Sequence, residues 1–293
     1  MENEATDFGL FGPGSMAWKV HAHPSGWVGA IRALLLQALE PRAMAGVAQF
    51  SRYSEDAWRR FSTTSEFLMT VTYRPKKEAE AAVVRVRTIH DSIVGTDPHT
   101  NLPFSANDPY LLAYIHNCLV DSLLVSHVTF AGRLSLAEQD RYVAEMHLLA
   151  ELIGADTDEV PKKSADLTSW LGSTRGLLLT DEARLAAETI RNINLPAYFH
   201  PAWSIAWHAS LAIMPSYALE LYGFEVDPFT RVFHKELAYI IAKTLKTALP
   251  SHPFHRQAKY AYYDSYASSH QTDCLTWTRH LLTDLSSTSG FKR

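Results

Sequence analysis

Histidine is the residue type in this chain best suited to chemistry, and it occurs 14 times in 293 residues. A neutral imidazole binds metal ions and moves protons near neutral pH. His116 lies in the stretch YIHNCLVDS, within a strongly apolar segment. Burial of an imidazole without a partner costs about 1–3 kcal/mol, so His116 needs either a hydrogen bond in the core or a metal. Two interpretations therefore stay open: a structural core histidine, or an axial ligand of iron.

His127 lies on the same helical face as His116. The two are eleven residues apart, which corresponds to roughly 16 Å of helical rise. That distance is too long for both imidazoles to bind one ion, so we expect at most one of them to be a metal ligand.

Three arginines are candidate anion-binding residues. Arg85 and Arg87 occur in the stretch RVRTIHD, where Arg87 and His90 are helical neighbours at positions i and i+3. Guanidinium groups bind carboxylates, including the propionates of a porphyrin, although such a pair of arginines is also typical of a solvated helix face. Arg32 occurs alone in the apolar stretch AIRALLLQ and needs an anion if it is buried, from either an internal carboxylate or a cofactor.

Several familiar catalytic motifs do not occur in the sequence. There is no HExxH, GxGxxG, GxxxxGK[ST] or GxSxG string, and no glutamate is followed by histidine three residues later, as helical di-iron sites require. Two cysteines, Cys118 and Cys274, are too few for a disulfide framework or a four-cysteine zinc site. Cys118 lies in an apolar helix, where a thiol is usually inert.

Composition narrows the class of protein further. The chain is 47% hydrophobic with a net charge of −4, which excludes disorder, and its 27 basic against 31 acidic residues disfavour obligate nucleic-acid binding. No apolar run reaches the roughly 18 residues of a membrane span. Acidic residues stand where a signal peptide would carry positive charge. We therefore expect a cytoplasmic protein without a membrane span.

The candidate residues lie in segments whose apolar residues repeat with helical periodicity. The alternation that is typical of strands is almost absent. The sequence predicts an all-α fold, with residues 1–293 forming one helical domain. Residues 1–25 and the stretch around Gly95, Pro98 and Pro103 are expected to be irregular. Predicted caps are Ser54, Asp108 with Pro109, the Ser135/Glu138 capping box and Gly154. Helices are predicted at 27–40, 54–72, 76–93, 108–131, 135–153, 164–171, 180–193, 201–213 and 229–248.

In their order and spacing, these segments resemble the catalytic-domain family of the MpaB-like enzymes and rubber oxygenases, which include the latex-clearing proteins. The resemblance covers roughly residues 15–225. The segments that match are His23-Pro24, Arg32–Gln37, Arg60 with Thr64, Arg87–His90, Val94–Asp97, Ala106–Pro109, Tyr114–His116, Leu119–Ser122, Asp140–Val143, Val160-Pro161 and Met214-Pro215.

The resemblance implies a globin-like helical core that holds haem b. By position, His116 is the proximal ligand, and the segment Arg85–Asp91 is the distal helix. His90 then stands where the latex-clearing branch has lysine, and is either a second axial ligand or a distal acid/base. An alignment displaced by one turn would place Arg87 there instead. Arg32 and Arg87, with Arg85 in reserve and Thr88 nearby, would bind the cofactor.

The function that the resemblance implies is a haem-dependent oxygenase or oxidase acting on an apolar or aromatic small molecule. Its oxidant would be dioxygen or peroxide, and a homodimer is possible. The alternatives are a non-catalytic haem protein for sensing or storage, a metal enzyme without porphyrin, and a helical protein without haem whose histidines are structural.

Overall fold

The computed structural model describes residues 7–51, 53, 56–248 and 252–270. Over these residues the chain is helical, as the sequence predicts, with one short antiparallel hairpin of β1 (Val94–Thr96) and β2 (Pro103–Ser105). The all-α fold class is therefore confirmed. The helices are α1 Met16–His21, α2 Gly26–Gln37, α3 Pro41–Phe50, α4 Ala57–Tyr73, α5 Lys76–Asp91, α6 Pro109–Phe130, α7 Leu136–Ile153, α8 Ser164–Ser173, α9 Asp181–Arg191, α10 His200–Ala212, α11 Ser216–Tyr222, α12 Pro228–Ala248 and α13 Pro253–His270.

Helix α6 is the central element of the core. Asp108 caps it as predicted, since Oδ1 accepts hydrogen bonds from the amides of Tyr110 and Leu111. By length and composition α6 could cross a membrane, but 78% of its apolar window is buried inside the protein, as in a core helix. The expected absence of a membrane span stays a prediction.

Helix α2 packs closely along α6 at a glycine. A Cβ at Gly29 would lie 2.9 Å from the carbonyl oxygen of Ser122 and 3.1 Å from Cα of Leu123. A residue without a side chain is therefore required where the two backbones meet. This contact holds α2 against the helix that carries His116.

Helices α6 and α7 form an antiparallel hairpin. The predicted capping box of Ser135 and Glu138 starts α7, and Gly154 ends it in the left-handed conformation with φ 81°. Beyond this end, the amide of Asp156 donates to the carbonyl of Pro109 over 2.9 Å. The end of α7 is thereby tied to the start of α6.

Helices α4 and α5 form a second hairpin, joined at Arg74 and Pro75. The N-cap of α4 is Asp56, whose Oδ1 accepts from the amide of Arg59. The prediction of Ser54 as this cap is therefore wrong, because the helix begins three residues later, at Ala57; Ser54 itself lies outside the described residues.

Other differences from the sequence prediction concern short elements. Residues 16–21 form α1, capped by Ser15, where irregular structure was expected. The expected long loop after Gly95 contains the β1–β2 hairpin, and α3, α11 and α13 were not predicted. Helices of six or seven residues, such as α1 and α11, are too short to show a periodic pattern, because they span less than two turns.

Candidate functional site

His116 is buried in the middle of α6, with 3% of its surface exposed. Within the described part of the chain, neither of its ring nitrogens has a hydrogen-bond partner. Burial, and then the nearby His147, lower the pKa of His116 to about 3. The imidazole is therefore neutral at pH 7, and a neutral imidazole has the lone pair that binds metals.

His147 on α7 is a second buried histidine near His116, and it is not among the candidates predicted from the sequence. Its Nδ1 lies 3.1 Å from Oε1 of Glu151, one helical turn later. Its Nε2 is buried without a hydrogen-bond partner. The spacing of His147 and Glu151 at i and i+4 was the sequence signal that could have identified this pair.

His90 lies on the inner face of α5, in line with the two residues of that helix that are buried, Ala79 and Val83. Burial is the largest cause of its lowered pKa, and the positive charge of Arg60 lowers the pKa further. The neighbouring Ala106 backbone and Asn107 side chain act in the opposite direction and raise the pKa. Nδ1 of His90 is buried and has no hydrogen-bond partner.

Arg60 on α4 belongs to the same neighbourhood as His90. Its Nη1 donates to Oγ1 of Thr64 over 2.7 Å. Arg60 is exposed at the surface, and partial burial of its guanidinium lowers its pKa. In the sequence, Arg60 and Thr64 are notable only as positions that match the family that the chain resembles. Their closeness to His90 depends on how α4 and α5 pack together.

Arg87 joins α5 to the end of α7. A Cβ at Gly154 would lie 3.0 Å from Nη1 of Arg87, so the guanidinium covers the left-handed turn that ends α7. The carbonyl of Arg87 accepts a hydrogen bond of 3.0 Å from Nδ2 of Asn107, which also donates to Asp91. Arg87 is exposed and therefore remains accessible to an anionic group.

Arg85 and Thr88 lie on the outward side of α5. Both are exposed, and Oγ1 of Thr88 donates to the carbonyl of Val84 within the same helix. Successive helical residues differ by 100°, so positions 85 and 88 point away from the face that carries His90. The structure therefore does not bring these two candidates together with His90 and His116.

Arg32 is buried between α2, α6 and the end of α10. Its Nη2 lies 2.7 Å from Oδ2 of Asp121, Nη1 donates to Oγ of Ser122, and Nε donates to the carbonyl of Ile213. An internal carboxylate, one of the two anions expected from the sequence, is therefore the partner of Arg32.

The remaining buried histidines lie near α1. Nδ1 and Nε2 of His21 lie within 3.0 Å of Thr72 Oγ1 and Tyr142 OH respectively, and the ring of His127 lies edge-on to that of His23. In the part of the chain that is described, no three histidine, cysteine or acidic residues form a group that could hold a metal ion. Burial raises the pKa of the Cys118 thiol, which is therefore protonated.

Comparison with known protein families supports the resemblance that the sequence segments indicate. The family model described as "ER-bound oxygenase mpaB/B'/Rubber oxygenase, catalytic domain" matches residues 18–243. No curated protein and no solved structure matches the chain. The matched range contains every candidate residue described above, and it covers more than half of the sequence. The chain therefore belongs to the mpaB and rubber oxygenase catalytic-domain family, which makes it an oxygenase.

Proposed function

We propose that this oxygenase uses haem b to oxidise an apolar or aromatic small molecule with dioxygen or peroxide. When bound, the haem supplies the redox chemistry that activates the oxidant. The observation that carries the proposal is His116, a neutral and buried imidazole on the central helix, without a hydrogen-bond partner in the described residues. A bond to iron would give this imidazole the partner that it lacks among the described side chains.

The available ligand set favours a porphyrin over a metal held by side chains alone. A protein-only catalytic metal site usually needs three side-chain ligands, and no such group occurs among the described residues. A haem needs one or two. His116, alone or with His90, is sufficient for that purpose.

His90 would exchange the proton that oxidation chemistry requires. Its lowered pKa keeps the imidazole neutral at pH 7, so it can both donate and accept a proton. Arg60 maintains this state, because its positive charge disfavours a second positive charge on His90. The unpartnered Nδ1 is the atom at which we expect the proton to be held.

Arg87 is the residue that would bind a propionate. It is exposed, its guanidinium lies over Gly154, and α7 connects it to the neighbourhood of His116. Arg32 has no such role in this proposal, because three of its nitrogens already bind Asp121, Ser122 and Ile213.

An aromatic stack at the surface supports an apolar or aromatic substrate. Trp58 and Phe61 lie one turn apart on α4, and the ring of Trp27 is stacked 5.8 Å from that of Trp58 and 5.4 Å from that of Phe61. Trp27 is 46% and Trp58 37% exposed, which leaves flat apolar surface open to a ligand. A cytoplasmic location, a homodimer and the absence of a nucleic-acid partner, as expected from the sequence, accompany this proposal.

The absorption spectrum of the protein, purified from cells supplied with iron and haem precursor, tests the proposal. We expect a Soret band in the wild type and in His127→Ala, and its loss or displacement in His116→Ala. His127 is the matched control, because it is a buried histidine on the same helix.

Three outcomes would contradict the proposal. The first is a wild type without a Soret band, and metal without porphyrin in elemental analysis would then support the non-haem alternative. The second is an unchanged spectrum in His116→Ala, which would remove His116 as the ligand. The third is a six-coordinate spectrum that no apolar substrate perturbs, which would indicate a sensing or storage protein.

A further inference from the structure

A cleft of about 440 Å³ lies between α1, α7 and α13, and its lining includes none of the residues to which the proposed oxidation assigns a role. The space beside Gly14 is open, because a Cβ there would meet no described atom within 4 Å. Sites for small molecules are typically clefts of roughly 300–1,000 Å³, so this cleft is large enough for one. The described residues that line it are Gly14, Ser15, Met16, Trp18, Lys19, Ala22, Glu138, Arg141 and His255.

Part of this cleft is built from segments outside the family's catalytic domain. The family match covers residues 18–243, so the lining residues 14–16 precede it and His255 follows it. The ring of His255 lies edge-on to those of Trp18 and Tyr73, with centroids 6.2 and 5.0 Å apart, and these contacts hold α13 in place as one wall. The cleft is therefore completed by parts of the chain that the catalytic domain does not include.

The acidic side chains at the cleft already have hydrogen-bond donors within the protein. Oε1 of Glu138 accepts from Nζ of Lys19 over 2.9 Å, and Oε2 accepts from the amide and the hydroxyl of Ser135. Behind the lining, Oε1 of Glu145 accepts from Nε of Arg141 over 2.8 Å, and Oε2 accepts from a backbone amide of α1. Each of these four carboxylate oxygens therefore has a donor without any ligand.

The two cations of the lining, by contrast, keep N–H groups that no described residue binds. Nζ of Lys19 has three N–H groups and uses one of them for Glu138. Arg141 uses Nε for Glu145 and Nη2 for the carbonyl of Gly14, 2.9 Å away, so the N–H groups of Nη1 remain. The side chains of Lys19 and Arg141 are 50% and 57% exposed, so a ligand can reach them. The spare donors of the cleft therefore carry positive charge.

We propose that this cleft binds a small organic anion, a carboxylate attached to an apolar chain or ring. Lys19 and Arg141 bind the carboxylate, because charged donors form the strongest hydrogen bonds to such a group. Of the described lining residues only Glu138 is acidic, so the lining carries one net positive charge, which matches the single charge of a carboxylate. Met16 and Trp18 form the apolar wall on the α1 side. The proposal is independent of haem binding.

Isothermal titration of octanoate into the full-chain protein at pH 7 tests the proposal. We expect saturable binding at one site, and no saturable binding of octanol, which has the same chain without the charge. Lys19→Met and Arg141→Gln should each raise the Kd at least roughly 10-fold, because each removes a charge-assisted hydrogen bond. Lys76→Met is the matched control: Lys76 also forms an exposed ion pair, 3.8 Å from Glu80, but lies outside the cleft, and we expect an unchanged Kd.

The position of the bound anion is a second test. A photoreactive octanoate that carries a diazirine should crosslink to α1 and to α13 near His255. Crosslinks confined to other helices would overturn the proposal even if octanoate binds. So would the absence of saturable binding, equal affinity for octanol, or an unchanged Kd in either Lys19→Met or Arg141→Gln. Both of these variants change exposed side chains, so we expect them to fold.

Discussion

Arg32 and Asp121 form a buried ion pair between α2 and α6, with Nη2 and Oδ2 2.7 Å apart and side-chain exposures of 4% and 5%. Two further hydrogen bonds, to Ser122 and to the carbonyl of Ile213, occupy the same guanidinium. A buried pair of this kind is costly to break, because the remaining partner keeps an uncompensated charge in the core.

We therefore expect Asp121→Ala to lower the free energy of unfolding by about 3–5 kcal/mol, measured by urea denaturation. Glu80→Ala is the control, because Glu80 forms an exposed pair with Lys76 at 3.8 Å, and we expect a change below about 0.5 kcal/mol. Equal losses of stability in the two variants would show that the pairing of Arg32 with Asp121 does not stabilise the fold.

The close contact at Gly29 gives a second stability prediction. Gly29→Ala would bring a Cβ to 2.9 Å from a backbone oxygen that cannot move freely, so we expect a loss of about 1–3 kcal/mol. Gly172→Ala is the matched control: it lies in α8 with no atom within 4 Å of a Cβ, and we expect a neutral or slightly stabilising effect. Thermal unfolding of both variants measures the difference, and a neutral Gly29→Ala would disprove the close packing.

Stability should decrease as the pH falls below neutrality, because buried histidines must become protonated when the chain unfolds. Burial lowers the pKa of His21 to about 3, against an ordinary value of 6.5. The unfolded state therefore binds more protons between pH 6.5 and 3, and the contribution of His21, complete above pH 6.5, is lost across this window.

For His21 alone, the loss between pH 8 and pH 5 is about 2 kcal/mol, since each pH unit below 6.5 costs about 1.4 kcal/mol. Urea denaturation at the two pH values measures it. His21→Gln removes the titrating group, so the difference between the two pH values should become smaller by a similar amount. The same pH dependence in variant and wild type would refute the assignment.

Haem affinity should distinguish the two arginines on α5. Arg87→Leu removes a charge-assisted hydrogen bond to a propionate, worth about 1.5–3 kcal/mol, so we expect the Kd for haem to rise by roughly 10- to 100-fold. Arg85→Leu, on the outward side of the same helix, should leave the Kd unchanged. Titration of haem into the purified protein measures both values, and an equal effect of the two would argue against Arg87 as the propionate residue.

Local signals in the sequence were sufficient for the helix ends that depend on local hydrogen bonds. The cap at Asp108, the Ser135/Glu138 capping box and the turn at Gly154 each depend on neighbours within four residues, and each is found as predicted. The hairpin of β1 and β2 was not foreseen, because three-residue strands carry too little alternation to predict.

Site residues that depend on distant neighbours were harder to predict. His116 and His90 are candidates from the sequence because each occurs in a helix where an imidazole needs an explanation, and their roles stay predictions. Arg60, by contrast, matters because α4 packs on α5, and the partner of Arg32 is Asp121, 89 positions later in the chain. Such residues become neighbours only when the helices pack, so no rule based on spacing along the sequence connects them.

The α6–α7 hairpin also has a consequence for the order of assembly. Contacts between helices that are adjacent in the chain have low contact order, and such units form early in folding. His116, His147 and Glu151 all lie in this one hairpin. We therefore expect this hairpin, with His116 in place on α6, to form before α5 packs against α7.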